Sequence, residues 1–322
     1  MNTNYKPTSI TITYLAKISY ASLNGGDSDT DNINVIKKIT AFDGTEYPYV
    51  SSQALRRALR DQLGTLGCQL SPISTSGPLK ESTADSGDEN DANKKHPPIT
   101  RCDPVIYIDD DLFGYLNAQT DSIKRTSPIR VSPLVALSKY MADLDFGTNY
   151  MGKDEGLDPN IFETEMHRGL YRGTIMIELD RVGTGDGFVS KPTKKKPKKG
   201  ETIPEEKDMS LTNEQKAKRV LVFLDAFQNL WSSGRQSRFL ADISPKFIAA
   251  AYLSCKNPIF LESIDHKIDI TVLKSVVEDY KPYIYESVFA SQSSVFPAEE
   301  GVKSLGDGFA AIRSWVTSYY QN

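Results

Sequence analysis

The chain has 322 residues with a net charge of −4, of which 39% are hydrophobic and 25% charged; this composition excludes a fibrous or fully disordered protein and fits a globular one with polar insertions. No apolar run approaches the ~20 residues of a membrane-spanning helix, and the first residues lack the basic and apolar stretches of a secretory signal. The three cysteines are widely spaced and form no zinc pattern with the three histidines, which indicates a reducing, cytosolic compartment.

The N-terminal part predicts a strand, a short second strand and then a helix. Residues 9–20 alternate isoleucine and tyrosine with threonine, as a strand with a buried face does. A short strand is predicted at 35–42, and the helix begins on two serines. Its apolar residues share one face that would pack on a core. These residues are Leu55, Ala58, Leu59 and Leu63.

The opposite face of this helix is basic. At helical spacing it carries Gln53, Arg56, Arg57 and Arg60. The free N–H groups of a helix start attract anions, and guanidinium groups bind phosphate oxygens in pairs, so this face suits phosphates. Taken alone, the pattern is more typical of a solvated amphipathic helix.

The middle of the chain alternates polar insertions with short predicted elements. Residues 64–100 are rich in Ser, Gly, Pro, Asp and Lys and are predicted to form a mobile loop. A short strand is predicted at 105–108, a helix at 133–141 and a strong strand at 171–179. A second insertion, 183–209, alternates lysine with proline and is typical of a solvated linker with at most weak phosphate contact.

The C-terminal part begins with Thr212-Asn213-Glu214-Gln215, a capping box that predicts the start of a helix. A strand at 247–253 and helices at 271–279 and 308–317 follow. The order strand, helix, strand, strand, helix, strand predicts an α+β fold with a ferredoxin-like palm of the RNA-recognition-motif (RRM) type.

This order also suggests the domain limits. The palm would be discontinuous and comprise residues 1–63, 165–182 and 210–322. Residues 64–164 would form an insertion, with the mobile loop at 64–100 in it, and residues 183–209 a mobile Lys/Pro-rich loop.

The acidic residues give two further expectations. Net acidity counts against nucleic-acid binding, but the acids concentrate in segments predicted to be loops, including residues 109–111. The spacing of Asp27, Asp29 and Asp31 resembles the start of a calcium-binding loop. The sixth and twelfth positions do not fit, because a calcium-binding loop needs glycine and glutamate there and this chain has neither. No catalytic triad or Gly-rich phosphate loop stands out, and we predict no cofactor and no metal.

A weaker nucleic-acid signal lies at Arg235 and Arg238, in a Gly-led turn after a predicted helix. RNA contact and an ordinary helix C-terminus, whose cations complement the helix dipole, explain this turn equally well.

A family resemblance covers roughly half of the chain. The helix at residues 50–60, VSSQALRRALR, resembles a helix of the backbone subunit of CRISPR type I Cascade complexes. The likeness extends to 9–26, to DFGTN at 145–149 and to GLYRGTIMIELD at 169–180. The chain is most similar to the DevR-like branch of this RAMP-superfamily group, and to subtype I-B in particular.

The resemblance implies a hand-shaped, non-catalytic protein with an RRM-like palm, fingers and a thumb, for which 145–162 is the candidate. Copies would stack head to tail on the CRISPR RNA and present it for pairing with target DNA, beside other Cascade subunits in a prokaryotic cytoplasm and away from membranes. The implied RNA-binding residues are Asn24, Ser51, Ser52, Gln53, Arg56, Arg57, Arg60, Arg235 and Arg238.

Two alternatives remain open. One is a general RNA-binding module. The other is a metal-dependent endoribonuclease using Asp27, Asp29 or Asp31, because related type III backbone subunits cut RNA from the loop between the first strand and the arginine helix. The type I branch, which the chain resembles more, is not catalytic, and a shared fold does not transfer an activity.

Overall fold

The computed structural model describes residues 6–26, 33–73, 99–117, 123–141, 143–149, 160–186, 208–231, 239–265 and 268–321. Within these ranges the helices are α1 (Ser52–Thr65), α2 (Ile108–Phe113), α3 (Asn213–Gln228), α4 (Ile270–Asp279) and α5 (Leu305–Gln321). The strands are β1 (Ser9–Ala21), β2 (Ile33–Asn34), β3 (Lys38–Thr40), β4 (Glu46–Val50), β5 (Tyr115–Asn117), β6 (Ile123–Arg125), β7 (Ile129–Val131), β8 (Leu134–Ala136), β9 (Asp143–Asn149), β10 (Asn160–Glu178), β11 (Thr184–Asp186), β12 (Asp208–Ser210), β13 (Phe247–Leu253), β14 (Ile284–Ser291) and β15 (Lys303–Ser304).

The centre of the fold is an 11-stranded sheet whose main path runs β15-β14-β13-β1-β10-β8-β4-β3. Strand β1 lies between β13 and β10 and is antiparallel to both. Helix α1 follows β1 and helix α3 follows β10, with β7 and β8 on the far side of β10. This split βαββαβ order confirms the predicted α+β fold of the ferredoxin-like type. Strands β7 and β8 fall within the range 64–164 and nevertheless belong to the central sheet.

The sheet is buried on both faces. Ile10, Ile12 and Tyr14 of β1 pack with α1, α3 and α5 on one face, whereas Leu15 packs on the other face with Phe247 and the α4 side of the molecule. The period of two in β1 therefore separates two cores. The predicted strands at 9–20, 171–179 and 247–253 and the capping box at Thr212 are confirmed.

Three predictions from the sequence are wrong. Residues 105–108 do not form a strand, because the Asp103 carboxylate accepts the N–H groups of Val105 and Ile106 in a turn that leads into α2. Residues 133–141 do not form a helix, because 134–136 pair with β4 and β10 as strand β8. The acids at 109–111 are not in a loop but are buried in α2.

In the part of the chain that the structure describes, no helix is long and apolar enough to cross a bilayer.

Candidate nucleic-acid interface

Helix α1 begins at a firmly held N-cap. The Oγ atom of Ser51 accepts the N–H of Ala54 at 3.3 Å, and the N–H of Ser51 donates to Oδ1 of Asn24 at 2.8 Å. The hydroxyl of Ser52 donates to the carbonyl oxygen of Val131 in β7 at 2.6 Å. The start of α1 is therefore tied both to the residues after β1 and to the strand beside it.

Two backbone donors remain at this helix start. The N–H groups of Ser52 and Gln53 have no hydrogen-bond partner among the described residues. The Gln53 side chain is exposed, and Ser52 is half-buried. Because the positive end of the helix dipole lies here, the geometry suits a phosphate oxygen next to an amide side chain.

The three arginines of α1 do not share one environment. Arg56 donates to the carbonyl oxygen of Phe113 and lies over its ring, 5.6 Å from the centroid, and burial lowers the pKa of its guanidinium. Arg60 donates to Oδ2 of Asp109 at 2.7 Å. The side chain of Arg57 is 60% exposed and pairs with Asp61 one turn further along the helix. Only Arg57 of the three presents its guanidinium to solvent without a buried partner.

The partners of Arg56 and Arg60 lie in α2, and that of Arg60 belongs to a buried acidic cluster that the sequence prediction missed. Asp111 is fully buried, and its carboxylate accepts Nη2 of Arg125 at 2.5 Å and Nη1 of Arg219 at 2.6 Å. Asp109 accepts the N–H of Ser71 as well as Arg60. Helix α2 thereby connects α1, β6 and α3 through paired charges. Runs of three acids are common on surfaces, so the sequence gives no signal that these are buried.

Glu165 holds the segment on the other side of Asn24. Its carboxylate accepts the N–H of Ile36 at 2.8 Å and Nζ of Lys38 at 2.9 Å, and the N–H of Lys37 donates to the carbonyl oxygen of Asn24. Burial acts to raise the pKa of Glu165, but the hydrogen bonds from Lys38 and Ile36 outweigh it, so the pKa lies below its usual value. Glu165 thus supports the residue that positions the N-cap of α1.

The lowered pKa of Glu165 predicts how its contribution to stability depends on pH. A carboxyl group whose pKa is lower in the folded state stabilises the fold above its unfolded pKa of about 4.3, and loses that contribution as the pH falls further. We expect E165Q to lower the free energy of unfolding by about 1–3 kcal/mol at neutral pH. The difference from wild type should shrink below about pH 4. Urea unfolding at both pH values measures this; a difference that is the same at both would contradict the assignment.

The remaining candidate residues differ in how far the structure describes them. Arg235, Arg238, Asp27, Asp29 and Asp31 lie outside the described residues. His167 is buried, its Nδ1 is 2.8 Å from the hydroxyl of Tyr171, and burial lowers its pKa. Among the described residues, no group of three or more His, Cys, Asp or Glu side chains could hold a metal ion.

A second exposed feature is the hairpin arm, which we define as β9 with residues 160–166 of β10. The two strands pair antiparallel from Asp143 opposite Met166 to Asn149 opposite Asn160. Leu144, Phe146 and Ile161 lie on one face of the arm, and each is close to half exposed or more. The ring of Phe162 covers Gly147 on the other face. The predicted thumb at 145–162 therefore includes part of a regular hairpin, which β2 joins at Glu163 and Thr164 and which exposes three apolar side chains on one face.

Comparisons with known proteins give a consistent picture. The profile of the family described as "CRISPR-associated negative auto-regulator DevR/Csa2" matches residues 12–272. A chain of a solved structure titled "CRISPR RNA-guided surveillance complex, pre-nicking" is similar, with a TM-score of 0.62 and 15% identity over 97% of this chain and 100% of that one. A chain of a "CRISPR RNA-guided surveillance complex" aligns with a TM-score of 0.56 and 16% identity over 95% and 99%. These structural likenesses show a shared fold. No curated protein matches the chain.

Proposed function

Because the chain belongs to the DevR/Csa2 family of CRISPR-associated proteins, we propose that it is a non-catalytic backbone subunit of a type I Cascade complex. In this role copies of the chain polymerise head to tail along the guide RNA and present it for pairing with target DNA, in a prokaryotic cytoplasm. Assignment to subtype I-B is part of the same proposal.

The observation that carries the proposal is the start of α1. It combines two backbone N–H donors without partners among the described residues, an exposed glutamine and an exposed arginine, all held by Asn24 and Ser51. Backbone N–H groups at a helix start and an exposed guanidinium are suited to phosphate oxygens, and such contacts carry no sequence information. A subunit that accepts any spacer needs such contacts, because base pairing then supplies the sequence specificity.

The hairpin arm supports the polymerising part of the proposal. Its exposed Leu144, Phe146 and Ile161 lie on one face of the arm. Contact between this face and a different surface of the next copy is heterologous, and repetition of such a contact produces an open helical array when its rotation does not close into a ring. The guide RNA would limit its length.

The RNA contact at α1 is tested with Arg57. R57A should weaken binding to unrelated single-stranded RNAs by similar factors, and the loss of one phosphate contact should reduce the slope of log K against log salt by about 0.7. Fluorescence anisotropy over a salt series measures both values. D61A is the matched control: it removes the internal partner of Arg57 together with a negative charge, so binding should be as tight as in wild type or tighter.

Equal losses of RNA affinity in R57A and D61A would show that the ion pair affects RNA binding only by stabilising helix α1. RNA that co-purifies with the chain from cells carrying a CRISPR array should have uniform repeat-derived ends. A random RNA population would instead favour a general RNA-binding module.

The absence of catalysis is a separate prediction. Guide-loaded protein given complementary single-stranded RNA with magnesium or manganese should leave that RNA intact. Two carboxylates among Asp27, Asp29 and Asp31 could hold a divalent ion and activate water. Regularly spaced cleavage that disappears when these aspartates are changed to alanine would therefore establish the endoribonuclease instead.

A further inference from the structure

Strand β14 lies at one side of the central sheet, where only the two-residue strand β15 follows it, so in the described part of the chain most of the outer edge of β14 is uncovered. The neighbouring strand β15 pairs only with Ala290 and Ser291, at the C-terminal end of β14. Tyr285 is 50% exposed, and Ser287 is exposed as well. An open strand edge of this kind is a template for pairing with another chain, and proteins commonly cover it.

The hydrogen-bond pattern shows which backbone groups face outward. The N–H of Gln292 donates to the carbonyl oxygen of Lys246 at 2.8 Å, next to the paired residues Phe247 and Ser291. Gln292 and Lys246 therefore form a hydrogen-bonded pair. In an antiparallel ladder such pairs alternate with non-hydrogen-bonded ones, so Ala290 and Val288 also bond to β13. The N–H and C=O groups of Ser287 and the N–H group of Phe289 therefore point away from β13 and remain for another strand. The C=O of Phe289 faces the same way, but the parallel pairing of Ala290 with Lys303 directs it to the N–H of Lys303 in β15.

The chain itself turns away before it can cover these groups. Gly301 has a φ of +89°, and the N–H of Val302 donates to the carbonyl oxygen of Glu299 at 3.1 Å. This turn leaves a cavity of about 380 Å³ between α4, the edge of β14 and Gly301. Val277 and Phe289 contribute apolar surface to it.

The rim of the cavity is positively charged. Lys274 and Lys303 both line it, and neither forms an ion pair within the described ranges. Glu278 also lines the cavity, but its carboxylate is 2.5 Å from Nζ of Lys281. A nearby acid, Glu299, lines a separate, smaller cavity. The ammonium groups of Lys274 and Lys303 therefore remain available to a bound partner at the edge of β14.

We propose that this edge binds an extended, carboxylate-bearing segment of a partner protein as an additional strand of the sheet. The backbone of such a segment would satisfy the outward N–H and C=O of Ser287 and the outward N–H of Phe289, and its acidic side chains would pair with Lys274 and Lys303. RNA would satisfy the lysines but offers no alternating amide backbone to the strand. The surface lies at the opposite edge of the sheet from β3 and uses no residue of α1, so its failure would leave the proposed RNA contact intact.

The test uses a fluorescent peptide that alternates glutamate and valine, with a peptide alternating lysine and valine as the comparison. Anisotropy should show binding of the acidic peptide only. The K274E/K303E double variant should weaken this binding by at least about tenfold. The matched control K218E, on the exposed side of α3, should not change it. Binding of both peptides alike, or the same affinity in the double variant, would overturn the proposal.

Hydrogen exchange identifies the binding edge directly. The acidic peptide should slow exchange at the amides of Ser287 and Phe289 in the wild-type chain, whereas S287P should abolish binding, since a proline on an edge strand blocks the guest without removing a bond to β13. If S287P does not fold, the exchange experiment on the wild type decides alone. Protection of β14 by single-stranded RNA rather than by the peptide would assign the edge to nucleic acid and contradict the proposal. Lysine variants that only increase self-association would show that the two cations serve to prevent edge-to-edge pairing, and would equally contradict it.

Discussion

Replacement of Asp111 by alanine is expected to lower the free energy of unfolding by about 3–5 kcal/mol. The carboxylate is fully buried and accepts hydrogen bonds from Arg125 and Arg219. Its removal would leave two guanidinium groups in a poorly solvated region without their anion, which is the costly way to break a buried ion pair. Urea unfolding followed by circular dichroism at neutral pH measures the change.

D61A is the control for this measurement as well. Asp61 forms an ion pair with Arg57 on the surface of α1, where both groups are accessible to water. Exposed pairs at this spacing contribute about 0.3–0.5 kcal/mol, so D61A should unfold almost like wild type. If D111A lowered the free energy of unfolding by less than D61A does, the charged cluster around α2 would not connect the helices in the way that its geometry indicates.

The second large effect is expected at Gly308. This glycine lies where α5 packs against the sheet, and a Cβ atom there would be 2.4 Å from Cβ of Ala290 and 3.1 Å from Cδ1 of Ile248. G308A should therefore force α5 away from β13 and β14 and cost about 1–3 kcal/mol, as overpacking of a core does. Thermal and urea unfolding both measure this loss.

Gly306, on the exposed side of the same helix, provides a control for which the change in stability is expected to have the opposite sign. The nearest atom to a Cβ there is Oγ of Ser304 at 3.9 Å. Alanine is a better helix residue than glycine by up to about 1 kcal/mol, so G306A should leave stability unchanged or raise it. A G308A variant as stable as G306A would contradict the close packing of α5.

The elements predicted correctly from the sequence are those whose own residues determine them. The alternation in β1, the buried run of β13 and the reciprocal cap at Thr212 are local patterns, and tertiary contacts reinforce them. The error at 105–108 has a local cause, the turn formed by the carboxylate of Asp103, whereas the error at 133–141 has a non-local one. The second segment is short and apolar, and its ladder partners Tyr49 and Arg172 are distant in the sequence, so helix and strand could not be distinguished by periodicity alone.

The candidate site shows the same division. Helical spacing correctly separated the core face of α1 from its basic face. It could not show that Arg60 pairs with Asp109, because the two residues are 49 positions apart. A long-range pairing of buried charges leaves no periodic signal in one sequence. The sequence therefore indicates where cations gather, whereas the fold determines that Arg57 is the one presented to solvent.

Strand β10 extends without interruption from the hairpin arm into the sheet, pairing first with β9 and then with β1. Its 19 residues correspond to about 60 Å of extended chain. The arm and the sheet therefore share one continuous strand. Successive side chains on a strand point to opposite sides. Adding one residue to β10 between the arm and the sheet would therefore rotate the arm by half a turn relative to the sheet. The exposed Leu144, Phe146 and Ile161 would then lie on the opposite side of the arm. The parity of the residue count in β10 thus determines on which side of the sheet the apolar face of the arm lies.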